Sequence, residues 1–164
     1  MTKRHILLEG LESTPSDIGR LVRRGNAPDA DWRPSEDAAS TRDIVLQLIT
    51  NDHEIQHIAG VASPHDDGRI APDDSPEQTY VVTMPITDLV DVFAGTRRAT
   101  IDILNQLSPG AWQRVVERPS GPPVSVRFAV QDLVERDIAL TDQLISTGRA
   151  WIRKTSEDSA KGHI

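Results

Sequence analysis

Apolar residues recur three and four positions apart in four separate stretches of the chain, and each stretch is bounded by helix start and stop signals. The first, "STPSDIGRLVRRG", offers Ser13 or Thr14 as a cap, Pro15 in the first turn and Gly25 as a stop, which predicts a short helix. In the second, Ser40 precedes "TRDIVLQLITNDHEIQHIAGV" with Asp43 three positions on, the acidic form of a capping box. Ile44, Val45, Leu48, Ile55, Ile58 and Val61 keep the helical period, so this helix is expected to run from 41 to 61. The third places Ile86, Leu89, Val90, Phe93, Arg97, Ile101, Leu104 and Leu107 on one face and closes at "SPG", 108–110. The fourth begins after Ser125 and turns Val126, Val130, Leu133, Asp137, Leu140 and Leu144 inward, with its end near Ile152.

Between these lie connections of different character. "NAPDADWRPSEDAA" is a polar loop, and residues 63–78, dense in Pro, Asp, Gly and Ser without a period, form a long crossover rather than a tight turn. "TYVVTMP" is read as an extended lead-in to the third helix, and "AWQRVVERPSGPP" as a structured linker whose Trp112 and two valines cover one end of a core. Residues 1–154 are expected to make one domain, with 155–164 a frayed polar tail. Four amphipathic helices with one long crossover between helices 2 and 3 predict an all-α four-helix bundle.

The totals narrow the function. A chain of 164 residues that is 37% hydrophobic and only 4% aromatic builds one aliphatic core without staples. The formal charge of −7 argues against a phosphate-backbone binder, so no nucleic acid partner is expected. The longest apolar runs fall short of a membrane span, and the N-terminal "MTKRHILLEGLEST" is too weakly apolar for a signal peptide, which leads to a cytoplasmic reading with no membrane partner. With no cysteine, any metal would depend on His and carboxylate ligands.

Two motifs carry a family resemblance. "STRDIVLQL", 40–48, resembles the Ser-x-Arg-Glu-Val-Leu-x-His-Leu helix start of the DinB-like family, which includes the YfiT-type and mycothiol-dependent proteins. "RDIALTDQL", 136–144, is similar to that family's His-Asp-x-x-His-Leu-x-Gln-Leu, and the arginine of "FAGTRRATIDILNQL" and the tryptophan of "LSPGAW" have counterparts as well. The resemblance spans roughly 11–150 and implies a DinB-like bundle, commonly a homodimer. It also implies where a divalent metal would be held by three histidines, and those positions are Gln47, Arg136 and Leu140 here. An amide is a poor ligand, a guanidinium cannot deprotonate and leucine has no donor, so no metal and no cofactor are expected.

The chemistry left on the inward stripes is Gln47, Arg97, Arg136 and Asp137, which form the candidate ligand-binding set. Arg136 would stand in the space of the lost cation and meet a small anionic ligand. The plainer alternative is that Arg136 and Asp137 form an interhelix ion pair or sit at the bundle edge, because helix neighbours point about 100° apart. His53 and His57 share a helix four residues apart, with Asp52 adjacent, yet position 53 lies about 120° around the helix from Gln47 and a solvated pair is expected. No cysteine, Gly-x-Ser-x-Gly elbow or glycine-rich phosphate loop is present, and no catalytic residue is assigned. Three functions stay open: a binding module for a small ligand or a partner protein, a thiol-dependent S-transferase or isomerase, and a closed structural dimer in which Arg136→Leu would be tolerated.

Overall fold

The computed structural model describes residues 3–24, 29–63, 83–118 and 121–162, and within them the four expected helices are present. They are α1 (Arg4–Arg24), α2 (Thr41–Ala62), α3 (Ile86–Gln106) and α5 (Val126–Lys161), with a short α4 (Pro109–Gln113) before the last. Ser40 caps α2 with its side chain on the Asp43 amide while the Asp43 carboxylate returns to the Ser40 amide, the reciprocal box expected from the sequence. Ser125 caps α5 through the Phe128 amide. Apart from Ser63, the expected crossover of 63–78 and most of "TYVVTMP" lie outside the described residues.

Two helix boundaries differ from the sequence expectation. α1 starts at Arg4, a full ten residues before Thr14, so Pro15 is inside the helix and neither Ser13 nor Thr14 caps it. Upstream, Leu7 and Leu11 already continue the apolar stripe, and their burial outweighs the bond that proline removes. The end of α5 also moves: the helix runs on to Lys161 instead of fraying at 155, although every residue from Ile152 through Gly162 is exposed.

α1 and α2 each pack against both α3 and α5, which sets the order around the bundle as α1, α3, α2, α5 and leaves α1 diagonal to α2. The linker after α3 is a lid on one end of this bundle. Its β1 (Val115–Val116) and β2 (Val124–Ser125) pair antiparallel, Val115 against Ser125 and Val116 against Val124. Trp112, Val116 and Val124 are buried there, whereas Val115 faces water at 64% exposure, so one of the two valines of "RVV" does the covering. Gly121, at φ 96°, makes the turn between the strands in a backbone region open to glycine and few others. Arg4 donates to the Leu104 and Leu107 carbonyls and Arg114 to the Ala62 carbonyl, so arginines from neighbouring segments close the C-terminal ends of α3 and α2.

The core is split in two. Leu7, Leu11, Ile55, Ile58, Leu104 and Leu133 belong to one apolar cluster, near the hairpin end. Ile18, Ile44, Leu48, Leu89, Phe93 and Leu144 belong to the other. On each of the four long helices the switch from one cluster to the other is marked by a buried polar residue: Thr14, Asp52, Arg97 with Thr100, and Asp137.

Candidate functional site

These residues meet at the centre of the bundle. Arg97 projects from α3 toward α5, its diagonal neighbour, and is the largest fully enclosed side chain among the described residues, at 1% exposure. All five of its N–H groups are used. Nε donates to Asp52 Oδ2 at 2.9 Å, and Nη2 donates to Asp52 Oδ1 at 2.8 Å and to Asp137 Oδ1 at 3.0 Å. Nη1 donates to Asp137 Oδ2 at 2.6 Å and to the Leu11 carbonyl at 2.9 Å. One planar guanidinium thus binds α2, α5 and α1 from α3, a task that a lysine ammonium with three donors would leave incomplete.

The Leu11 bond follows from Pro15. Residue 15 would ordinarily donate its N–H to the carbonyl of residue 11, and proline has none to give. The orphaned carbonyl points into the core, where it would cost about 1–3 kcal/mol unpaired, and Arg97 supplies the donor. Each carboxylate also takes a hydroxyl from a neighbouring helix: Thr100 donates to Asp52 Oδ2 at 2.9 Å and Thr14 to Asp137 Oδ2 at 2.8 Å. Gln56 donates to the Thr100 hydroxyl at 3.0 Å, and no buried side-chain nitrogen or oxygen among the described residues is left without a partner.

The layer holds one cation and two carboxylates. Burial pushes the Asp52 carboxyl above its ordinary value, with the nearby Asp137 charge acting the same way, while the Arg97 and Thr100 contacts pull it back down. Burial alone would weaken the Arg97 cation, but its hydrogen bonds to Asp137 and Asp52 more than reverse this and hold it above the ordinary arginine range.

Of the four residues of the candidate ligand set, the fold joins Arg97 and Asp137 and separates the others. Gln47 is exposed on α2 and donates to Asn51 Oδ1 at 2.8 Å. Arg136 stays at the bundle edge with a side chain 42% exposed, paired to Asp132 at 2.9 Å on its own helix and to Glu54 on α2 at 3.4 Å. The four do not line one pocket, because Arg136 and Asp137 leave the helix in different directions and only Asp137 points inward. Asp52, Thr14 and Thr100 complete the layer unforeseen. The signal for Asp52 was the break in the α2 stripe between Leu48 and Ile55, four residues after one and three before the other.

No protein-family model and no curated protein matches the sequence. Among solved structures, a DinB-like protein, YjoA, from Bacillus subtilis superimposes with a TM-score of 0.64, covering 87% of this chain and 90% of that one at 16% identity. The fold is DinB-like. At the three positions where the resemblance implies a metal, the Gln47 amide is engaged by Asn51, Arg136 is held by two acids, and Leu140 packs into the apolar cluster around Leu144. His57 is exposed on α2, and among the described residues no group of three or more His, Asp or Glu side chains is placed to share a metal ion. The cleft beside Arg136, bordered by Asn51, Glu54 and Asp132, measures about 10 Å³, room for one water. An open groove of about 630 Å³ lies instead on the outside, where Pro34, Asp37, Ala38 and Ala39 of the α1–α2 loop approach α5. No helix among the described residues is long and apolar enough to cross a membrane.

Proposed function

We propose that this chain is a DinB-like binding module that lacks the family's metal and carries out recognition on its outer face, in the cytoplasm. The observation that carries the reading is Arg97. A guanidinium that receives an incoming anion must keep donors free, and here all five are spent on Asp52, Asp137 and the Leu11 carbonyl. The polar interior is therefore a structural clamp, and the cleft next to Arg136 is too small for any ligand beyond water. The groove between the α1–α2 loop and α5 has the dimensions of a small-molecule site.

Elemental analysis of untagged protein, before and after incubation with nickel, zinc and manganese, tests the reading. The expected result is no metal retained near one ion per chain. A tightly held stoichiometric metal would overturn it and bring forward a thiol-dependent transferase that uses ligands outside the three family positions.

A further inference from the structure

At the junction that forms the outer groove, two tryptophans from distant parts of the chain make a corner. Trp32, in the α1–α2 loop, and Trp151, on α5, have ring centroids 5.1 Å apart with planes at 68°, an edge-to-face pair of half-buried indoles. The Lys154 ammonium sits over both rings, 5.5 Å from the Trp32 centroid and 5.8 Å from that of Trp151. A positive charge against two indole faces is the arrangement by which aromatic cages hold quaternary and methylated ammonium groups.

The corner is pre-formed. The loop bearing Trp32 is fastened by Arg42, which pairs with Asp31 at 2.8 Å, donates to the Met84 carbonyl at 2.6 Å and gives its backbone N–H to Ala30. Arg33 ties the same loop to Asp43 at 2.7 Å. Trp151 is fixed by the helix itself. Asp37 and Asp142 line the neighbouring groove and supply negative charge, with Arg153 the opposing cation.

We infer that the Trp32–Trp151 corner is a recognition site for an N-methylated ammonium group, with Lys154 its built-in occupant. The inference rests on the reading of the chain as a surface-binding module and names its ligand chemistry. Lys154 is exposed and its stem is flexible, so its departure disturbs little. A primary ammonium is strongly hydrated and gives up water reluctantly. A trimethylammonium carries its charge behind methyl groups, sheds water more readily and covers more of each ring, which favours it over lysine in the same corner.

The test is a titration of the full chain with choline, followed by tryptophan fluorescence. 3,3-Dimethyl-1-butanol, which has carbon in place of the charged nitrogen, serves as the control. Trp112 is buried at the far end of the core and adds a constant background. The expected result is a saturable change with choline and none with the alcohol. Binding should tighten about two- to fivefold in Lys154→Ala, the scale of an exposed cation–π competitor. It should vanish in Trp32→Leu and in Trp151→Leu, with far-UV circular dichroism confirming that each variant is folded. No saturable response in Lys154→Ala, or equal binding of the alcohol, overturns the inference. Such a failure in protein that retains no metal removes the ammonium assignment alone, whereas a retained metal removes the binding-module reading whatever the fluorescence does.

Discussion

Replacing Arg97 by methionine keeps an unbranched stem out to about the position of Nε but removes the guanidinium, whose carbon lies 5.0 Å from the Phe93 ring centroid, and with it all five donors. Asp52 and Asp137, 0% and 3% exposed, are then left with one threonine hydroxyl each. Stranding one partner of a buried ion pair costs about 3–5 kcal/mol. The second carboxylate adds less, because the two acids can relieve each other by taking up one proton at about 1.4 kcal/mol per pKa unit. The expected loss is about 4–6 kcal/mol, a large part of the roughly 5–15 kcal/mol that holds a domain together. With a urea slope of about 2 kcal/mol per molar, the midpoint should fall by about 2–3 M at neutral pH, read by circular dichroism. The same reasoning requires rescue. Arg97→Met combined with Asp52→Asn and Asp137→Asn should regain more than half of the loss, since no charge is then stranded, and adding Pro15→Ala should regain more by returning an N–H to the Leu11 carbonyl. A single variant that loses less than about 1 kcal/mol, or a triple variant no more stable than the single, would refute the clamp.

Asp52→Asn should reveal the raised carboxyl through its pH dependence. Because the folded value lies above the unfolded one, near 3.8, protonation of Asp52 contributes stability that is complete below 3.8 and lost as pH rises through the folded value. The unfolding free energy of the native chain minus that of the variant should therefore fall with rising pH across this window; a difference that grows counts against the burial argument. Arg136→Leu should change stability by no more than about 1 kcal/mol, because its pairs with Asp132 and Glu54 are open to solvent and screened, and a loss above about 2 kcal/mol in urea titration would mean that this edge arginine does interior work.

Periodicity carried the fold. The helical stripes named α2 and α3 to within a residue of their ends, because Ser40 with Asp43 and the "SPG" stop are local chemistry acting on the adjacent backbone. It failed where the deciding interaction was remote. Pro15 reads locally as a first-turn residue, and only Arg97, 82 positions away, shows how a helix can run through it. The site was half legible for the same reason: Arg97 and Asp137 stood on their stripes as unexplained charges, but nothing local distinguishes Asp137 from Arg136 beside it. Asp52 was hidden by its neighbours, since "NDHEIQH" suggests metal ligands facing outward before it suggests a carboxylate facing inward.

The polar layer also governs alignment. In a bundle whose core is repeated Leu, Ile, Val and Ala, sliding one helix past the others by a turn, about 5.4 Å, still sets aliphatic against aliphatic, so apolar contact alone distinguishes such arrangements poorly. Here the slide would carry Arg97 off both aspartates and into an apolar cluster on one side or the other, with the Leu11 carbonyl again unpaired. Among the described residues only two aromatic rings, Phe93 and Trp112, are buried, so the bundle has few large rings with which to lock its helices by shape. One charged layer, met once along each helix, makes a single vertical setting of four cylinders far lower in energy than its neighbours.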